Sequence, residues 1–375
     1  MERMYDVAII GAGLAGSSMA CAMASMGWDT VLIDRHTFPR HKACGEFLSP
    51  ESRGVLAALG LSAAIESLRP ARMDTVRVSS GGVSLDIALP GTAFGVSRYA
   101  LDDAVQRVSR EKGAVVLAGA TVVSLSPEER GYRIELRDKG ARRTIEARAV
   151  IGAWGRNPGA GLAAVSGSAA RRSYIGVKSH MAGIEPQPAV ELYFFRGGYV
   201  GLAPIEGGRY NVAALVTRRA FENSGKTVRG MLQTASRLNG AFRRRLAGGE
   251  PIPGTGTAVA PVVTSRDPVP WGIVPHIGDA ALVIPPLCGD GMAIALRSAE
   301  ICAQLADGYL RGRLSLDGWR DAYSRALLDQ CSGPLLWGNA LQRLSEIRGV
   351  LPLLLRFGRF APGLAGSLVQ ATRLR

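Results

Sequence analysis

Lysine is scarce in this chain. Of the 45 cationic residues among 375, only five are lysine, so arginine carries nearly all of a net charge of +14. A nucleic-acid partner would call for basic runs or a nucleic-acid module, and neither occurs; an arginine-biased surface accounts for the charge. Cysteine is limited to five residues and histidine to four. The cysteines are odd in number and scattered, which argues against a disulfide framework and suits a reduced, cytoplasmic compartment. No metal site is expected. No apolar run approaches the roughly 18–20 residues of a spanning helix. The N-terminus lacks a signal-peptide pattern, since Met1-Glu2-Arg3-Met4 runs into a strand with Asp6 where an h-region would be apolar.

What the chain has is apolar mass and glycine. Hydrophobic residues make up 47% and charged residues 20%, which with 47 glycines describes a globular chain long enough for about two domains. Asp6-Val7-Ala8-Ile9-Ile10 is an apolar run of the kind buried in a parallel strand. Gly11-Ala12-Gly13-Leu14-Ala15-Gly16 follows at once, then a helix over 17–26 closed by Gly27, then a strand over 30–33 ending on Asp34 and Arg35. Gly11 permits the tight turn, Gly13 lets the backbone approach a diphosphate, and Gly16 lets the helix pack on the strand. The helix N-terminus supplies free N–H groups and a positive dipole. Asp34 is placed to accept from an adenosine ribose and would repel a 2′-phosphate.

A second glycine cluster lies at Gly278-Asp279-Ala280-Ala281 and Pro285-Pro286-Leu287-Cys288-Gly289-Asp290-Gly291-Met292, ahead of a helix over 293–305. With the first motif it resembles the para-hydroxybenzoate hydroxylase-type superfamily of FAD-dependent oxidoreductases, which includes aromatic hydroxylases, halogenases and geranylgeranyl reductases. The resemblance implies FAD as cofactor, with NADH, NADPH or a flavin or ferredoxin reductant as the open question of electron supply. It implies that Gly11, Gly13, Leu14, Ala15, Gly16, Asp34, Arg35, Cys44, Gly45, Arg98, Gly155, Gly278, Asp279, Pro286, Gly289, Asp290, Gly291 and Met292 bind the cofactor. Arg98, at the start of a helix running to Lys112, matches an arginine placed against the diphosphate and ribityl chain. Trp154 departs from the pattern: it stands where the family has an aspartate, which puts direct NADPH reduction in doubt.

Three segments bear on the reaction. Pro39-Arg40-His41-Lys42-Ala43-Cys44-Gly45-Glu46 resembles a reductase segment whose cysteine lies near the flavin. Gly198-Tyr199-Val200-Gly201-Leu202-Ala203-Pro204 keeps only the tyrosine and proline of the reductase signature and disfavours a halogenase. Its small residues predict a roomy cavity. The Pro285–Met292 pattern leans to hydroxylases. Cys44, Gly45, Glu46 and Tyr199 are the catalytic candidates, and a Cys44–Cys288 redox pair is a weaker idea. His41, His180 and His276 are open alternatives as acid or base, each more readily structural. The reading favoured is a monooxygenase acting on an apolar, aromatic or polyketide-like molecule. The alternative is a geranylgeranyl reductase-like enzyme acting on carbon–carbon double bonds, and a flavin-binding electron carrier stands third.

The fold class expected is α/β, with an α+β substrate domain. A Rossmann-like FAD domain takes 1–72, 98–165 and 270–335. A mainly antiparallel substrate domain takes 73–97 and 166–269, with a hairpin over 75–89 and strands over 189–195, 199–204 and 210–217 that roof the flavin. A helical tail takes 336–375. Over 340–375 that tail holds six arginines and one glutamate among many apolar residues. It reads either as a helix packed on the FAD domain or as a flap that covers the entrance or touches a membrane surface. The pattern fixes no oligomeric state.

Overall fold

A computed structural model describes residues 4–156, 162, 173–264, 266–347, 349–360 and 366. Two sheets organise the chain. In the first, the strands run in the order Val115–Ala118, Thr30–Asp34, Met4–Ile10, Ala141–Gly152, Gly131–Asp138 and Thr121–Glu128. The first four are mutually parallel, with Val7 opposite both Thr30 and Ala149, and the last two turn back antiparallel.

Met4–Ile10 has so few polar residues because it is covered on both faces. Val7 and Ile9 point into a core with the helices Leu14–Ser25, Arg98–Glu111 and Gly291–Leu310. Ala8 and Ile10 point to the opposite side, against Val31, Ile134 and Ile145. Each such buried aliphatic side chain contributes about 1.5–3 kcal/mol. The glycine-loop helix starts at Leu14, earlier than expected, because Gly13 already serves as its N-cap.

The second sheet is larger and mostly antiparallel. It runs Glu250–Pro251, Ser173–Ala182, Arg209–Thr217, Gly198–Ile205, Ala189–Phe195, Ala71–Ser80, Val83–Gly95 and Phe47–Leu48, with Thr257–Val263 also paired to Ser173–Ala182. The hairpin expected over 75–89 is longer: its strands pair from Ala71 opposite Gly95 to Ser80 opposite Val83, and the second of them also pairs with Phe47–Leu48. Three short helices, Arg218–Glu222, Val228–Leu238 and Gly240–Arg245, cover one face through Met231, Leu232, Ala235 and Phe242. The other face looks into the cavity described below.

At the C-terminus the helix Leu316–Glu346 runs for 31 residues with Pro334 inside it, straight through the 335/336 boundary drawn from sequence. Ile347 caps that helix, and Val350–Phe360 is a second helix with Pro352 in its first turn, where a missing N–H costs nothing. Among the described residues no helix is long and apolar enough to cross a membrane. The expectations placed on Asn157, on the 165/166 boundary and on 361–375, apart from Gly366, lie outside the described residues.

Candidate active site

The glycine loop is held by close contacts that exclude any side chain. A Cβ on Gly11, whose φ is +113°, would sit 2.3 Å from the Ala153 carbonyl oxygen, and one on Gly16 would sit 1.8 Å from the Gly11 oxygen. Asp34 fixes the loop from the neighbouring strand: its Oδ2 accepts from the Ala12 amide and its Oδ1 from the His36 amide, both at 2.8 Å. Gly13 caps the helix with no side chain of its own, so the first amides of Leu14–Ser25 face outward.

Two cations stand over that helix end. Lys42 Nζ donates to Asp102 Oδ2 at 2.7 Å, and Arg98 grips both Asp102 oxygens at 2.8 and 2.9 Å. A Cβ on Gly13 would meet Lys42 Nζ at 3.3 Å and Arg98 Nη2 at 3.9 Å. Burial alone would raise the Asp102 carboxyl, but Arg98 and Lys42 outweigh it and hold it below the usual carboxylate range. One carboxylate against two cations leaves a positive cradle at a helix N-terminus, as a diphosphate requires. Nothing in the spacing of the 39–46 segment points Lys42 at the glycine loop; only the fold brings it beside Gly13.

Across the cavity the second glycine cluster forms two tight turns, Gly278–Ala280 and Pro286–Cys288, ahead of the helix Gly291–Leu310. Gly289 takes a φ of +76°, and nothing lies within 4 Å of a Cβ built on Gly291. Asp290 is the N-cap residue of that helix. Asp279 faces the cavity and accepts from Arg156 Nε at 2.8 Å. Trp154 fills its corner by packing edge-on to His276, with ring centroids 5.0 Å apart. Gly152 must stay small there, since a Cβ would meet the Trp154 ring at 2.4 Å.

The two glycine clusters and the second sheet enclose one cavity of about 940 Å³. Of the expected cofactor residues, Gly11, Gly13, Leu14, Ala15, Asp34, Arg35, Cys44, Gly45, Arg98, Gly155, Gly278, Asp279, Pro286, Gly289, Gly291 and Met292 all line it. Gly16 and Asp290 stand just behind. FAD fits this surface: a cationic cradle, a carboxylate at each end and glycines that leave the backbone bare.

The rest of the cavity is apolar. The period of two along the strands turns Leu192 and Phe194, Tyr199, Gly201 and Ala203, and Ala213 and Leu215 toward it. Tyr199 stacks at a tilt on Phe194 at 5.2 Å, and burial pushes its hydroxyl well above the ordinary value, so it stays protonated. Gly201 keeps the wall thin, and a built Cβ would just touch Leu192 at 3.6 Å and the Ala213 carbonyl oxygen at 3.7 Å. Leu341, Leu344, Leu351 and Leu354 of the C-terminal helices close the far side.

Glu46 occupies a different setting from the other catalytic candidates. Its carboxylate is fully buried; Oε1 accepts from Lys178 Nζ at 2.6 Å and from the Arg98 amide at 2.9 Å, and Oε2 lies 2.6 Å from His180 Nε2. Lys178 Nζ and His180 Nε2 are themselves 2.8 Å apart. Burial works to raise the Glu46 carboxyl, but His180 and Lys178 override it and hold it below its ordinary range. Glu46 therefore ties the Arg98 helix and the segment 44–46 to the strand Ser173–Ala182. His41 stacks on Tyr99 at 4.7 Å and meets His180 edge-on at 5.2 Å. Lys178 escaped the sequence reading because it is 132 residues from its partner.

All five cysteines are free thiols. The Cys44 sulfur accepts from the Glu46 amide at 3.4 Å and its carbonyl from Asn211 at 2.9 Å. Cys288 is pinned by the long helix, where a Cβ on Gly338 would come within 2.5 Å of its sulfur. Among the described residues no cluster of three metal-ligating side chains occurs.

Comparison with known proteins agrees with this geometry. The profile of the FAD binding domain family matches residues 4–315. A menaquinone reductase of Mycolicibacterium smegmatis is 29% identical over 328 residues, covering 81% of this chain and 77% of its own. A digeranylgeranylglycerophospholipid reductase of Methanococcus vannielii is 24% identical over 369 residues, covering 92% and 89%. Among solved structures the flavin-dependent brominase Bmp2 superposes with a TM-score of 0.81 at 20% identity, covering 99% of this chain and 93% of its own.

Proposed function

We propose that this chain, which belongs to the FAD binding domain family and is an FAD-dependent oxidoreductase, adds two hydrogen atoms to a carbon–carbon double bond of an isoprenoid lipid. The observation that carries this reading is the wall opposite the glycine loops. It is built of Leu192, Phe194, Leu215, Leu341, Leu344 and Leu354, with Tyr199 as its phenol, and suits a long hydrocarbon chain. The names of the two relatives support it, since menaquinone and digeranylgeranylglycerophospholipid both carry polyprenyl chains. Hydroxylation, which the Pro285–Met292 pattern favours, comes second. A ring substrate would want polar groups to orient it, and this wall offers few.

FAD, when bound, supplies the hydride chemistry. The amides after Gly13, with Arg98 and Lys42, would hold its diphosphate, Asp34 its adenosine end, and Asp279 and the Gly289–Met292 turn its flavin end. The apolar wall excludes water and lays the substrate chain along the cavity. Tyr199 holds a proton at its hydroxyl oxygen, and Cys44 lines the same cavity. Glu46, Lys178 and His180 set the position of the segment that presents Cys44 and Gly45.

The test uses the FAD-loaded protein, reduced anaerobically with dithionite and mixed with a geranylgeranyl lipid. Mass spectrometry is expected to find product heavier by two hydrogen atoms per turnover. Lipid of unchanged mass, with the flavin left reduced, would reject the proposal.

A further inference from the structure

The helix Val350–Phe360 carries an apolar stripe that the other described residues leave uncovered. Leu353, Phe357 and Phe360 are spaced by four and three residues, so they share one face. They are 52%, 64% and 88% exposed. The opposite face is used normally: Leu355 is buried, and Leu351 packs against the cluster of Tyr174, Phe194 and Tyr199. The uncovered stripe is thus a second apolar face on a helix that has already spent its first.

Cations flank that stripe. Arg356 is exposed beside it. Arg359 donates through Nε and Nη2 to the Ser84 carbonyl, and with Arg77, Arg244 and Arg245 it lines a separate cavity of about 620 Å³. Arg77 is paired with Asp86 and Arg245 with Glu191. Arg244 and Arg359 have no carboxylate partner among the described residues. The excess charge at this corner follows the +14 of the whole chain. Leu354 and Phe357 line the large cavity and are exposed as well, so that cavity opens beside the stripe.

We propose that this face docks on an anionic lipid bilayer. Leu353, Phe357 and Phe360 enter the acyl boundary, and the cavity lined by Arg77, Arg244, Arg245 and Arg359 takes a lipid phosphate. An in-plane helix with an apolar stripe and arginines at its flank has the chemistry of an interfacial anchor. Lipid phosphates supply the charge that Arg244 and Arg359 lack. The docking rests on this surface alone and does not depend on which reaction the cavity performs.

The test is co-sedimentation of the full FAD-loaded chain with vesicles of phosphatidylcholine, with and without phosphatidylglycerol. Binding is expected only to the anionic vesicles and is expected to fall with added salt. The double variant Leu353→Asp, Phe360→Asp, at positions outside the cavity lining, is expected to keep its FAD and to lose at least about tenfold in vesicle affinity. A separate variant, Arg244→Ala, is expected to weaken anionic binding while leaving the fold intact. The proposal is overturned if the wild type stays in the supernatant with anionic vesicles, or if the double variant binds as well as the wild type. It is equally overturned if the stripe instead drives self-association that the double variant abolishes and no vesicle binding accompanies it.

Discussion

Replacing Glu46 with glutamine removes one negative charge from a site where Lys178 and His180 sit 2.6 Å from its two oxygens, with none of the three side chains in contact with solvent. Glutamine keeps an acceptor for the Arg98 amide but leaves the lysine and histidine without a carboxylate. Breaking a buried ion pair from one side costs about 3–5 kcal/mol. Two charge-assisted hydrogen bonds at about 1.5–3 kcal/mol each give a similar sum. Glu46→Gln is therefore expected to lower the urea midpoint by an amount equivalent to about 3–5 kcal/mol, read by circular dichroism. Adding Lys178→Met removes the stranded cation, so the double variant is expected to be less destabilised than the sum of the singles. A loss under about 1 kcal/mol for Glu46→Gln, or strict additivity in the pair, would refute the coupling.

Other perturbations follow from the same geometry. Gly13→Leu fills the cradle beside Lys42 and Arg98, and is expected to yield folded protein purified without flavin, read from the absorbance released on denaturation. Arg98→Ala strips one cation and a clamp on Asp102, and is expected to weaken FAD binding by about tenfold or more in a fluorescence titration. Gly201→Trp pushes a large ring past Leu192 into the apolar cavity; FAD content is expected to stay while turnover of a long-chain substrate is lost. The depressed Glu46 carboxyl also sets a pH dependence. Its contribution is complete above the unfolded value of about 4.3 and disappears as pH falls through the lower folded value. Glu46→Gln should therefore flatten the acid limb of the stability curve, and parallel acid limbs in the two proteins would argue against that assignment.

The cofactor cradle was legible because its signals are local. Gly11, Gly13 and Gly16 fall in one strand–turn–helix unit whose spacing can be read directly, although Ala153, Lys42 and Arg98 supply the contacts at Gly11 and Gly13; Gly289 is marked by one positive φ. The parallel strand at Met4–Ile10 announced itself by having almost no polar face. The cluster of Glu46, Lys178 and His180 did not, because a charge that finds its partner 132 residues away leaves no spacing to read. Lys42 was hidden likewise: its proximity to Gly13 is a product of the loop 38–46 folding back. The helix Val228–Leu238 carries a local cap, Thr227 accepting from the Gly230 amide, in a stretch otherwise dominated by strand signals. Leu316–Glu346 runs on across 335/336, with Pro334 buried within the helix and not ending it.

The central claim is reduction of a double bond in an apolar cavity beside FAD. The most direct measurement is turnover of a geranylgeranyl lipid by dithionite-reduced protein, run in deuterated water and then repeated with labelled oxygen gas. The account predicts a gain of two hydrogens, deuterium in the product and no label from oxygen. A product that carries one labelled oxygen atom and no added hydrogens would contradict it.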